Sequence, residues 1–358
     1  HAHLHGGIPN RDVDALSGFW DAFPALRATL FVENRPGYSD LAIPVGEVQQ
    51  AILDAPEFVD FAAEVAGSVA DWFNSHRPEL TAIDADTQPN RLIATLSDDL
   101  LARFKATPLL DEYDVYEQLM SYWHSVMHDD VFLLMTDGWL PASRPRKTIN
   151  DKDRAITETP DLVVGSGRAA VKYKMDLLPP SLIVARYFAA DQAEVDRLQL
   201  TADEAARAVE EFIEEHGVPD GLLAEAMDDG KMSSALAKAR LKVAKSEGAD
   251  ADELGALDRL IGLYAVEAAA KKSVKLAQEN LDVKTLAAYG DLDEVDVREL
   301  VLDDKWGATI AARIAAELNS LTLTLVDRIR ELGSRYDQTV GELESRLAEL
   351  DARVAKHL

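Results

Sequence analysis

His124 and His128 stand four residues apart, and Asp129 and Asp130 follow the second of them. On a helix this spacing puts both imidazoles on one face, where a nearby carboxylate could complete a metal set that activates water for hydrolysis. Ser125 follows His124, so the H-E-x-x-H metalloprotease pattern is not formed. A structural reading competes, because histidines near a helix C-terminus are favoured by the dipole there. With no third ligand or open coordination position identifiable, the structural reading is preferred. His1, His3 and His5 alternate at the start of a chain that has no initiator methionine. They are read as part of a fragment boundary or tag remnant rather than as a metal site.

Other chemical signals are weaker. Gly165 and Gly167 form a G-x-G, but the third glycine of a dinucleotide fingerprint is missing and the following residues look extended. Neither a P-loop nor a G-x-S-x-G elbow occurs. The pairs Asp228-Asp229 and Asp303-Asp304 read as solvated helix ends. The chain has no cysteine, which excludes disulfides, thiolate metal sites and a cysteine nucleophile. One basic cluster, Arg144, Arg146, Lys147, Lys152 and Arg154, is diluted by Asp151 and Asp153. Arg144, Arg146 and Lys147 are its candidate contacts to a DNA backbone, since arginine and lysine bind phosphate without reading sequence.

The elements that would carry these residues change character along the chain. Helical spacing runs through Leu16, Phe19, Trp20, Phe23 and Leu26, then through Val45 to Phe73 with a break at Pro56. Leu92 to Phe104 and Val115 to Met127 predict two more helices. Val131 to Met135 reads as a short buried strand ending at Asp137-Gly138, and Ala169 to Met175 as an edge strand. Beyond about Asp191 the composition turns to Ala, Leu, Glu, Lys and Arg, which predicts long helices. Asp191 with Glu194 marks a helix start and Gly217 its end. Further segments run from about Ser233 to Ala244 and Asp250 to Tyr289. Ile310, Ile314, Leu318, Leu321, Leu325, Ile329 and Leu332 form one stripe, closed by Gly333. After a capping box at Thr339 and Glu342, Val340, Leu343, Leu347, Leu350 and Val354 follow a strict heptad edge. That narrow seam requires a partner helix, in this chain or in another protein, and its residues are the candidate partner-docking set.

The fold class read from these patterns is mainly α: a mixed helical first half with a small β element, followed by long coiled-coil-like helices. Two domains are expected, a mostly helical connector over 1–190 and a long-helix assembly domain over 191–358. The formal net charge of −27 over 358 residues opposes direct binding to nucleic acid. No apolar run is long enough to span a bilayer and no signal peptide opens the chain, so a cytoplasmic protein without membrane association is expected.

Four segments, in order, carry a resemblance. Ala2-His3-Leu4-His5-Gly6-Gly7-Ile8-Pro9-Asn10-Arg11-Asp12 is similar to the A-H-L-x-G-G-I-P-x-R-D segment of type I restriction–modification modification subunits. Leu109 to Trp123 with Asp129-Asp130-Val131, Asp176 to Phe188, and Leu300 to Trp306 resemble three further stretches of the same family. The resemblance implies a subunit that transfers a methyl group from S-adenosylmethionine to adenine N6 of a flipped base. It also implies three partners: a specificity subunit, a second modification subunit and a restriction subunit. In that family the donor-binding domain and the [ND]-P-P-[YF] motif lie upstream of the stretch seen here. The single Pro-Pro, Pro179-Pro180, has Leu178 before it and Ser181 after it, so no catalytic or donor-binding residue is carried over. The expected function is non-catalytic: a C-terminal part of the modification subunit that holds no cofactor, meets DNA only within the complex, and docks on the specificity subunit. The alternatives are a metal-dependent hydrolase built on His124 and His128, and a structural coiled-coil protein unrelated to DNA.

Overall fold

A computed structural model describes residues 7–151 and 156–336, together with positions 347, 350 and 353. The fold is mainly α with small antiparallel sheets. Its helices of eight or more residues are α1 (Pro56–Thr81), α2 (Pro89–Phe104), α3 (Glu112–Tyr122), α4 (His128–Asp137), α5 (Pro180–Tyr187), α6 (Ala189–His216), α7 (Ser234–Glu247), α8 (Ala251–Asp291) and α9 (Ala308–Tyr336). The strands are β1 (Ile8–Pro9), β2 (Phe31–Arg35), β3 (Tyr38–Leu41), β4 (Arg146–Lys147), β5 (Asn150–Asp151), β6 (Ile156–Thr157), β7 (Leu162–Val164) and β8 (Val171–Lys174). Two compact units result. The first comprises His1–Trp139 with Arg298–Leu358, and the second Leu140–Val297. The boundary expected at residue 190 falls inside the second unit. Sequence adjacency could not reveal that α9 belongs with the N-terminal helices.

In the first unit, proline sets where helices begin. Pro56 and Pro89 open α1 and α2, where a missing N–H is harmless, and the preceding Ala55 and Gln88 are extended, as residues before proline prefer. Phe58, Phe61, Val65, Val69 and Trp72 of α1 are buried at three- and four-residue spacing. Trp72 Nε1 donates to the Leu96 carbonyl of α2 at 3.0 Å. The stripe of α9 is buried from Ile310 to Leu332, with Leu321 half-buried. Gly333 does not end this helix, which continues to Tyr336. A Cβ there would lie 3.1 Å from Val45 Cγ2 and 3.3 Å from Leu41 Cδ2, so that glycine permits close approach rather than a stop.

A second expectation for this unit is corrected. Val131 to Met135 is not a strand but part of α4, and Gly138, at φ 78°, ends it. Val131 and Leu134 are buried while Phe132 is exposed, which is helical spacing that a short apolar run does not distinguish from a strand. The segment Phe31 to Leu41, without a predicted strand, forms the hairpin β2–β3, extended to β1–β3–β2, with Gly37 at φ 82° in the turn. Two π-helical turns, Trp123–Met127 and Leu300–Gly307, interrupt the helices.

The second unit combines the sheet β4–β8–β7 with an antiparallel helical hairpin. The start of α6 meets the end of α8 through the Asp191–Lys284 ion pair, and the Arg259 guanidinium of α8 lies 5.3 Å from the Phe212 ring centre of α6. Asp191 therefore serves as a pairing group in the first turn, and Phe188 caps α6 without a side-chain bond. Gly217 ends α6 as expected. At the far end of the hairpin, Val209, Phe212, Leu223, Ala237, Ala244, Leu257 and Leu260 form one apolar cluster. Ser233 caps α7 by accepting from Leu236 N at 3.2 Å, and Gly248 closes α7 in a left-handed conformation. Among the described residues, no helix is long and apolar enough to cross a membrane.

Candidate partner-helix interface

The longest helix of the described residues, α8, spans 41 residues and carries apolar residues on two faces. One face is used by its own unit: Leu257, Leu260, Leu281, Thr285 and Tyr289 are buried. The other bears Gly262, Val266, Ala269, Ser273, Leu276, Asn280, Val283, Ala287 and Gly290, whose spacings alternate between four and three. All nine are exposed. Val266, Leu276 and Val283 keep 59%, 55% and 52% of their surface in solvent, and a Cβ added to Gly262 or Gly290 would meet nothing within 4 Å.

Alternating four and three is the spacing by which one helix packs knobs into the holes of another. An ideal straight helix drifts only about 20° per heptad, so such a seam stays on one side across its central part. Small residues would let a second backbone come close, and Leu276 and Val283 would supply side chains to fill the holes of a second helix. Ser273 and Asn280 are the polar members of this row, and an asparagine at such a position is the kind of residue that fixes register and partner number. The outward side of α6 is mostly charged, with Glu194, Arg197, Asp203, Glu204, Glu211 and Glu214, and carries a single large apolar residue, Leu200, 65% exposed. A polar surface of that type is what solvent alone requires.

The residues singled out from the sequence are placed as follows. Leu347 and Leu350 are helical and 60% and 49% exposed, so this part of the heptad edge faces solvent. Val340, Leu343 and Val354, the capping box at Thr339 and Glu342, and His1, His3 and His5 lie outside the described residues. Arg144 donates to the carbonyls of Tyr289 and Leu292, closing the C-terminal end of α8. Arg146 grips Glu158 through two bonds of 2.8 Å and also binds Asp176. The Glu158 carboxyl is consequently held well below the usual carboxylate range, at about 2, chiefly by Arg146 and further by the Ile149 amide. Two of the three candidate phosphate contacts thus already hold groups of their own unit, while Lys147 is exposed. Lys152 and Arg154 lie outside the described residues.

His124 is exposed, and the His128 ring, 4.7 Å from the Phe132 ring centre, faces Asp129 with Nδ1 at 3.2 Å. Asp130 is buried and engaged by Lys305 and Trp306 instead. Among the described residues, no group of three or more His, Asp or Glu is placed to hold a metal ion. Gly165 and Gly167 lead into a short 3₁₀ turn and then β8, not into a helix that could receive a pyrophosphate. Pro180 opens α5; Leu178 is fully buried and its carbonyl accepts from Tyr289 Oη at 2.6 Å.

The α8 seam escaped the sequence reading because Gly, Ala, Ser and Asn give little hydropathy contrast. Its signal was the four–three spacing alone. No family description, curated protein or solved structure matches this chain.

Proposed function

We propose that this chain is the non-catalytic C-terminal part of the modification subunit of a type I restriction–modification enzyme, docking helix against helix on the specificity subunit. The observation that carries the reading is the solvent-facing four–three seam of α8, because such a seam is complete only when another helix covers it. Exposed Leu347 and Leu350 offer a second helical edge of the same kind. The ordered resemblance of four segments selects the specificity subunit, with its helical spacers, as the partner, and with it the second modification subunit and the restriction subunit.

The chemistry of the whole enzyme, methyl transfer from S-adenosylmethionine to adenine N6, belongs on this reading to an upstream domain and takes place in the cytoplasm. The residues present here do not fit that task. Leu178 offers no polar side chain to an adenine amino group, and its carbonyl is taken by Tyr289. The net charge of −27 leaves DNA contact to the partner.

Co-purification with the cognate specificity subunit tests the proposal. Wild type is expected to form a stable complex, and both Leu276→Glu with Val283→Glu and, separately, Leu347→Asp to weaken it at least tenfold while leaving circular dichroism unchanged. Equal capture of all three proteins would overturn the docking role. Self-association of wild type, abolished by the same changes and indifferent to the specificity subunit, would favour the structural coiled-coil reading instead.

A further inference from the structure

The solvent-facing seam of α8 is nearly symmetric about its own midpoint, between Ser273 and Leu276. Outward from there, Val266 and Val283 stand at equal distances on the two arms, and Gly262 and Ala287 lie beyond them. A row with large residues matched to large and small to small fits a copy of itself turned end for end. That is the condition for a two-fold interface, in which residue i meets j and j meets i. Run antiparallel, Leu276 of each copy enters the space left by Ser273 of the other, and Val266 of each meets Val283.

The shoulders of the seam obey the same relation. One shoulder carries Ala265, Lys272, Glu279 and Leu286 at seven-residue intervals. End-for-end pairing sets Lys272 beside Glu279 of the second copy, twice, and Ala265 beside Leu286. Lys272 is exposed, and the Glu279 carboxylate, 40% exposed, has only the loose contact to Lys275 at 3.8 Å on its own helix. A pair of that kind is worth little and leaves the carboxylate able to take a second cation. The other shoulder sets Ala270 beside Ala277 and Leu263 beside Lys284, so like charges meet on neither side. Parallel pairing in register would instead leave Lys272 beside Ala277, and would offer Glu279 only Lys284, which Asp191 already engages.

We infer that in the free chain this seam is covered by the same seam of a second copy, antiparallel, with the two-fold axis between Ser273 and Leu276. The inference rests on the docking role proposed above for the seam and adds that the specificity subunit must displace a self-partner. Most of the row is small and buries little apolar surface, so the pair is weak, formed at about 100 µM chain and dispersed at about 1 µM.

The absence of cysteine allows a direct test on the full chain with single variants and a short bis-maleimide. In the antiparallel pair the two copies of residue 273 are offset along the axis by about 4.5 Å, and those of residue 283 by about 25 Å. Ser273→Cys is therefore expected to cross-link and Val283→Cys to remain uncross-linked. By sedimentation equilibrium, Lys272→Glu should weaken the dimer roughly tenfold, and adding Glu279→Lys should restore it. A chain that stays monomeric at the higher concentration, or equal cross-linking at both positions, would overturn the inference. Capture of the specificity subunit by such a monomer would leave the docking role standing. A dimer that the specificity subunit fails to dissolve would uphold self-pairing and remove the docking role instead.

Discussion

Lys305 Nζ lies 2.7 Å from the carboxylate of Asp130, and both side chains are nearly withdrawn from solvent. The pair joins the helix that follows one π-helical turn to the interior of the other. Trp306 Nε1 donates to the second carboxylate oxygen at 2.8 Å, and Tyr122 Oη donates to the Lys305 carbonyl at 3.2 Å. Burial raises the Asp130 pKa above the ordinary aspartate value, with the lysine charge and the two donated bonds pulling the other way.

Removing one member of a buried pair strands the other. Lys305→Met is therefore expected to destabilise the first unit by about 3–5 kcal/mol. Adding Asp130→Asn should restore much of that loss, because the stranded charge goes too. All five tryptophans, Trp20, Trp72, Trp123, Trp139 and Trp306, belong to this unit, so urea unfolding followed by tryptophan fluorescence reports on it selectively. A single-variant loss below about 1 kcal/mol, the range of exposed pairs, would show that the contact is solvated.

Gly307 closes the second π-turn. A Cβ there would stand 2.9 Å from the Leu302 carbonyl oxygen and 3.2 Å from Phe73 Cε1. Alanine is the better helix former by about 1 kcal/mol, yet crowding a packed interior costs about 1–3 kcal/mol. Gly307→Ala should accordingly lower the urea midpoint of the first unit. A higher midpoint would mean that the turn relaxes to an ordinary helix.

The Arg146–Glu158 contact predicts a local acid sensitivity in the β4–β8–β7 sheet. Because the folded Glu158 pKa is lowered from 4.5 to about 2, its stabilising contribution is complete above 4.5 and is lost as pH falls through about 2. The protection factors of the β4 and β8 amides, with the intrinsic exchange rate at each pH divided out, should fall across that interval, ahead of global unfolding. A Glu158 carboxyl titrating near 4.5 by NMR would remove the basis of the prediction.

The two faces of α8 should answer differently to truncation. Leu260 is fully buried, and Leu260→Ala is expected to cost about 2–5 kcal/mol. Leu276→Ala on the solvent-facing seam should change stability by no more than about 0.5 kcal/mol. Thermal unfolding of the isolated protein measures both. A large loss at Leu276 would place that face in the core and withdraw it as a docking surface.

Much of this fold follows from local sequence alone. Pro56 starts α1 because its fixed φ suits a first turn, Gly217 ends α6, and the stripe from Ile310 to Leu332 is buried because three–four spacing makes one face of a helix. These outcomes depend on residues within a turn or two of each other, so they survive without knowledge of neighbours. Other features were decided only when distant segments met. Val131 to Met135 is apolar enough for either a strand or a helix, and its place in α4 is settled by which residues find partners. Gly333 reads as a helix stop until Val45 and Leu41 are seen to press against it. Arg144 and Arg146 read as a basic patch, but the carbonyls of Tyr289 and Leu292 and the carboxylates of Glu158 and Asp176, distant in sequence, hold them. The same holds for the seam of α8: a helix with apolar residues on two sides has two faces to offer, and only packing against α6, α7, α5 and β7 determines which is covered and which is left for another helix.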